Sequence, residues 1–146
     1  MLKVQKVLYH RVFKYHLRFF VLVSKPSISK PGVRKSTLSE DRTSTILRSV
    51  SEKEGFHFYR AVGEPTGETA VSLADFAKKM KYVNVRSVNF HFYRKDFETW
   101  IRDVIGDAEL ALRISRIRVD LQGEALRNEI IRIVKVRIDK LKAAQP

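Results

Sequence analysis

Hydrophobic and polar residues follow different periods in successive parts of the chain. Phe56–Val62 (FHFYRAV) alternates, with rings at every second place, which predicts a strand. Gly63, Pro65 and Gly67 follow in GEPTGE, a turn composition, and Thr69–Val71 is expected to return as the short second strand of a hairpin. Ser72 stands three residues before Asp75, the hydroxyl and carboxylate of a capping box. Leu73, Phe76, Ala77 and Met80 then recur at helical spacing, so a helix is predicted over 73–82. Residues 85–94 fit two templates: Val88, Phe90 and Phe92 alternate like a strand, whereas Val85, Val88 and Phe92 fit a helix. Asp96 reads as an N-cap before Phe97, Trp100, Ile101 and Val104, a core-facing helical stripe that places Trp100 inside. Gly106 is expected to stop that helix and Asp107 to cap another over 108–117. The longest periodic segment, 122–143, carries Leu126, Ile130, Val134, Ile138 and Leu141 along one side. The predicted fold class is mainly α (α+β): a small helical domain with an N-terminal aromatic β-hairpin and a long amphipathic C-terminal helix.

Upstream of Ser51 the text is different. In residues 1–23, Lys3, Lys6, His10, Lys14 and Arg18 form a basic stripe, opposite Val4, Leu8, Val12, Phe13, Tyr15, Phe19 and Phe20. This is an amphipathic helical pattern. It suits a helix lying on an anionic membrane surface, a helix docked on protein with its basic side toward RNA phosphates, or a targeting peptide. Residues 24–51 are rich in Ser, Thr, Pro and Lys and read as a flexible, partly extended linker. The folded domain is then expected over 52–146. A further reading has the true start near Val50 or Ser51, with the upstream stretch playing no part.

Charge sharpens this division. The 146 residues carry a formal net charge of +13. Residues 1–50 hold 11 Lys/Arg against two acids, and residues 51–146 hold 18 against 14, so the net charges are +9 and +4. A block of like charge at one end is typical of an interaction arm. The chain has no Cys, which excludes disulfides, thiol chemistry and cysteine-ligated metal sites. It also lacks an apolar run long enough to span a bilayer.

The pentapeptide Phe56-His57-Phe58-Tyr59-Arg60 recurs as Phe90-His91-Phe92-Tyr93-Arg94, but its flanks diverge, which favours convergent core aromatics over a repeat. The rings, with Arg60 and Arg94 beside them, could alternatively serve base stacking. The pattern FHFYRAVGEPTGETAVSLADFAKKM, then SVNFHFYRKDFETWIRDVIGDAELALRI, then GEALRNEIIRIVKVRIDKLK resembles a family of small prokaryotic, largely archaeal, proteins grouped as a domain of unknown function. The resemblance covers about residues 52–142, and its most specific stretch is Asp96–Ala111. It implies an aromatic hairpin followed by helices and favours helix within 85–94. It supplies no catalytic residue and does not reach the N-terminal segment.

No phosphate-binding Gly-rich loop, dinucleotide fingerprint, HExxH or Gly-x-Ser-x-Gly elbow occurs. His10 and His16, six apart, do not share a helix face. His57 and His91 hold equivalent places in the two pentapeptides and could form a two-histidine metal or acid–base site, against the simpler reading of packed or surface histidines. No catalytic residue, metal or cofactor is expected. The leading expectation is a non-enzymatic, cytoplasmic accessory protein that binds RNA and is ribosome-associated. Phosphate contacts are assigned to Lys3, Lys6, Arg11, Lys14, Arg18, Lys25, Lys30, Arg34 and Lys35. Arg132, Lys135 and Lys142 form a secondary basic face, interrupted by Glu124, Glu129 and Asp139. The alternatives are a protein–protein module, self-associating or docking a partner helix, and membrane-surface attachment.

Overall fold

The computed structural model describes residues 37–145, and the segment 1–36 with its basic stripe lies outside them. The described chain is mostly helical, with one two-stranded hairpin and a long C-terminal helix. Helix α1 (Thr37–Leu47) comes first, within the stretch expected to be linker. It has no continuous apolar stripe, which is why periodicity misses it; tertiary contacts hold it instead. Thr43 and Ile46, three residues apart and so on one face, are both buried. Just past its end, the Arg48 guanidinium donates to the carbonyls of Val104 (2.8 Å) and Ile105 (3.2 Å). The packed domain therefore reaches back to Thr43 rather than starting at 52.

The hairpin pairs β1 (Phe56–Ala61) with β2 (Glu64–Ala70), antiparallel. The expected turn composition thus belongs largely to the second strand, and the return strand is longer than Thr69–Val71. The register shows how Pro and Gly fit there. His57 faces Thr69, but Tyr59 faces Pro65, so β2 carries extra residues at a bulge. Gly67 takes φ +83° in that bulge, a backbone region open to glycine. The Thr66 hydroxyl donates to the Phe58 carbonyl (2.9 Å), which satisfies an acceptor the bulge takes out of the ladder.

Helix α2 (Leu73–Lys79) starts as the capping box predicts. Ser72 Oγ accepts from the Asp75 N–H (3.1 Å), and Asp75 in turn accepts from the Val71 N–H (3.1 Å). It ends three residues before the expected limit, because Met80–Val83 wind into a turn whose N–H groups bond to carbonyls of the last helical residues. Residues Val85–Tyr93 form helix α3, capped by the Asn84 side chain, which accepts from the Arg86 N–H (2.9 Å). The same pentapeptide is therefore strand in one copy and helix in the other. Helix α4 (Asp96–Trp100) runs into a π-helical turn, Ile101–Ile105, where the Gly106 and Asp107 N–H groups both reach the Ile101 carbonyl (3.0 Å each). Gly106, at φ +86°, ends it as expected. Helices α5 (Ala108–Ser115) and α6 (Gly123–Ala143) complete the domain.

The hairpin packs through β1 on α3, and α6 lies against α1, α2, α3 and α5. The apolar side of α6, with Leu126, Ile130, Val134, Ile138 and Leu141, is buried within the domain. Phe56, Phe58, Phe76, Phe97 and Trp100 meet in a ring cluster, with Phe76 stacked on Trp100 at 5.6 Å. The Trp100 indole N–H donates to the Glu54 carbonyl (2.8 Å).

One buried ion pair joins α5 to α6. Asp107 caps α5 by accepting from the Leu110 N–H (3.0 Å). Its carboxylate is also gripped by both Nε (2.8 Å) and Nη2 (3.0 Å) of Arg137, and Arg137 Nη1 reaches Glu109 (2.5 Å). Partial burial pushes the Glu109 carboxyl up. The Arg113 hydrogen bond and the charges of Arg137, Lys140 and Arg113 outweigh this and hold it below its ordinary value near 4.5. A carboxyl depressed in the folded state stabilises it above its unfolded value, and that stabilisation is lost as pH falls through the lower folded value. Denaturation midpoints measured between neutral pH and pH 3 are therefore expected to fall below about pH 4.5. Glu109→Gln should flatten that limb; an unchanged limb would remove Glu109 from the acid response.

Candidate nucleic-acid interface

The nine Lys/Arg positions assigned to phosphate contacts, Lys3 through Lys35, lie outside the described residues. The secondary basic face is present on α6, with Arg132, Lys135 and Lys142 all exposed. Its charge is partly cancelled. Arg132 holds Glu129 through two hydrogen bonds (2.6 and 2.9 Å), and this contact keeps the Glu129 carboxyl below its ordinary value. Asp139 lies exposed between Lys135 and Lys142. Carboxylate pairing is general across the domain: Arg94, Arg102, Arg113, Arg118 and Arg127 each hold an Asp or Glu as well.

Three of the repeated phenylalanines are core, whereas Tyr59 is half-buried and Tyr93 exposed. Phe56 and Phe58 are buried in the ring cluster, and Phe92 is buried with its ring against Tyr93. Phe90 is half-buried, with the Arg94 guanidinium over its ring at 5.1 Å. The two histidines do not meet. His57 is exposed on the outer side of β1, where its Nδ1 bonds the Thr69 hydroxyl (2.8 Å). His91 is buried among rings of the inner side, 4.8 Å from the Phe56 ring. Its Nε2 accepts from the Tyr59 N–H (2.8 Å), and its Nδ1 faces Asp96 Oδ2 (2.8 Å). Accepting at Nε2 requires the proton on Nδ1, which donates to the carboxylate. The lone pair a general base would use is therefore already engaged by the backbone. Asp96 does not act as the N-cap expected of it. Lys95 occupies the cap position at φ +60°, and Asp96 turns its carboxylate to His91 and to Arg94 Nε (3.2 Å). Among the described residues no group of three or more His, Asp or Glu could hold a metal ion.

A feature that periodicity does not reveal lies where the hairpin meets the α2–α3 turn. An open cleft of about 320 Å³ is lined by Arg60, Pro65, Thr66, Glu68, Tyr82, Val83 and Asn84. Tyr82 is 79% exposed, among the most exposed large side chains of the domain. Arg60 from β1 and Glu68 from β2 are exposed, and neither side chain has a hydrogen-bond or ion-pair partner among the described residues. The only hint in the sequence is a tyrosine off the apolar stripe at the end of a predicted helix.

No family model, curated protein or solved structure matches the chain. Among the described residues no helix is long and apolar enough to cross a membrane.

Proposed function

We propose that the protein is a non-enzymatic, cytoplasmic RNA-binding accessory protein, ribosome-associated, whose basic N-terminal residues hold phosphates. The observation that carries this reading is the partition of charge. All nine assigned Lys/Arg precede the first acid of the chain, Glu40, while most arginines of the domain hold a carboxylate of their own. Cations without acidic neighbours are the ones that release counterions on meeting a phosphate backbone. Such contacts place a protein on RNA without reading its sequence, so affinity should depend steeply on salt and weakly on sequence.

The test keeps the full chain and replaces the nine residues Lys3, Lys6, Arg11, Lys14, Arg18, Lys25, Lys30, Arg34 and Lys35 by Gln. Binding to a ribosomal RNA fragment, followed by anisotropy across a salt series, should lose about 6 from its log–log salt slope if all nine contact phosphates at roughly 0.7 each. An equal slope in both proteins would overturn the reading. The protein–protein alternative through the apolar side of α6 is disfavoured by its burial within the domain.

A further inference from the structure

We propose that the cleft between the hairpin and the α2–α3 turn is a stacking site for one unpaired nucleotide of single-stranded RNA. Tyr82 is its platform, Arg60 its phosphate contact and Glu68 the acceptor for a base amino group. The inference rests on the RNA-binding reading and adds to it a site in the folded domain.

The geometry points this way for three reasons. First, Tyr82 presents a nearly bare ring to water at the rim of a concave surface. A phenol ring stacks on any base because every base has a π-face. Pro65 adds an exposed apolar surface to a cleft whose lining is otherwise mainly polar, and the cleft's volume of about 320 Å³ suits a small ring system. Second, Arg60 lacks the carboxylate that most arginines of the domain hold. The Arg60 guanidinium is exposed, lines the cleft and is available to a phosphate flanking a base lying on Tyr82.

Third, Glu68 lines the cleft. A carboxylate repels phosphate, so a site for the backbone alone would exclude it. Beside a base edge it has a role, accepting a hydrogen bond from an exocyclic amino group such as cytosine N4, which uracil lacks. The site is therefore expected to prefer bases that carry an amino group, and to need those bases unpaired.

The experiment uses the full chain with three probes: 12-nucleotide oligo-C, oligo-U and an RNA duplex. Tyr82→Ala should weaken oligo-C binding roughly 5- to 150-fold, the usual span for loss of one base–aromatic stack. Duplex binding, carried by phosphate contacts, should stay unchanged. Tyr82→Phe keeps the ring and should retain affinity, and Glu68→Gln should narrow the preference for oligo-C over oligo-U. Tyr82 is exposed, so a melting curve equal to the parent's verifies that each variant is folded.

If Tyr82→Ala binds oligo-C as tightly as the parent, the stacking site is overturned, while the arm reading stands or falls by its own salt slope. A protein contact at the cleft would give this same result. If Tyr82→Ala loses single strands but the nine-residue Gln variant keeps its slope, the cleft stands and the arm reading fails. If the full chain binds none of the probes, both are overturned.

Discussion

Arg137→Ala is expected to lower the unfolding free energy by about 3–5 kcal/mol, a large share of the roughly 5–15 kcal/mol typical of a small domain. Asp107 is 1% exposed and Arg137 7%, so neither charge can turn to water when the other is removed. Truncating Arg137 leaves the Asp107 carboxylate with only the Leu110 N–H, and strips Glu109 of a partner as well. The loss reflects an orphaned buried charge, not the net worth of the pair, which desolvation reduces. Arg132→Ala is the control on the same helix. Its side chain is 63% exposed in an i,i+3 pair with Glu129, where solvent screens the attraction, so its removal should leave the midpoint almost unchanged. Denaturant titrations that give both variants the same midpoint, at an unchanged slope, would show that the buried pair is hydrated in solution.

The second large effect is expected at His91. His91→Ala removes a ring packed on Phe56, Phe58, Phe90 and Phe97, and orphans the Tyr59 N–H, while Asp96 keeps Arg94 as its partner. A cavity in a ring cluster and an unsatisfied buried donor together cost about 3–5 kcal/mol. His91→Gln, which can offer an acceptor to the same N–H, should recover part of the loss. The specific readout is hydrogen exchange at the Tyr59 amide. It should accelerate in His91→Ala beyond what the global loss of stability explains, because that amide's acceptor is the imidazole. Exchange at Tyr59 that only tracks global unfolding would contradict the assigned role.

His91 also marks the limit of what periodicity can read. Elements with one buried side were legible: the alternation of Phe56 and Phe58, the capping box at Ser72 and Asp75, the Gly106 stop and the stripe of α6 each dictate a local structure that packing then uses. Residues 85–94 satisfied both periods, and the choice was tertiary. Val88, His91 and Phe92 must all face the core, a spacing that only a helix provides. Asn84, a residue that favours the cap position, was the local signal that could have decided it. Asp96 misled for the opposite reason. An acid before an apolar stripe suits a cap, but a left-handed Lys95 already makes the turn, which frees the carboxylate for His91. Helix α1 has too few apolar residues to signal itself. The cleft had no local signal, because Arg60, Glu68 and Tyr82 come together only when the hairpin docks beside the α2–α3 turn.

Trp100 gives the domain its own optical probe. It is the chain's single tryptophan, and its indole is buried, stacked on Phe76 and bonded through its N–H to the Glu54 carbonyl. Its emission therefore reports the seam where the residues ahead of the hairpin meet α4. Blue-shifted fluorescence belongs to the docked state, and a red shift marks water reaching that seam. Collapse of the aromatic cluster during refolding can thus be timed in the unlabelled protein.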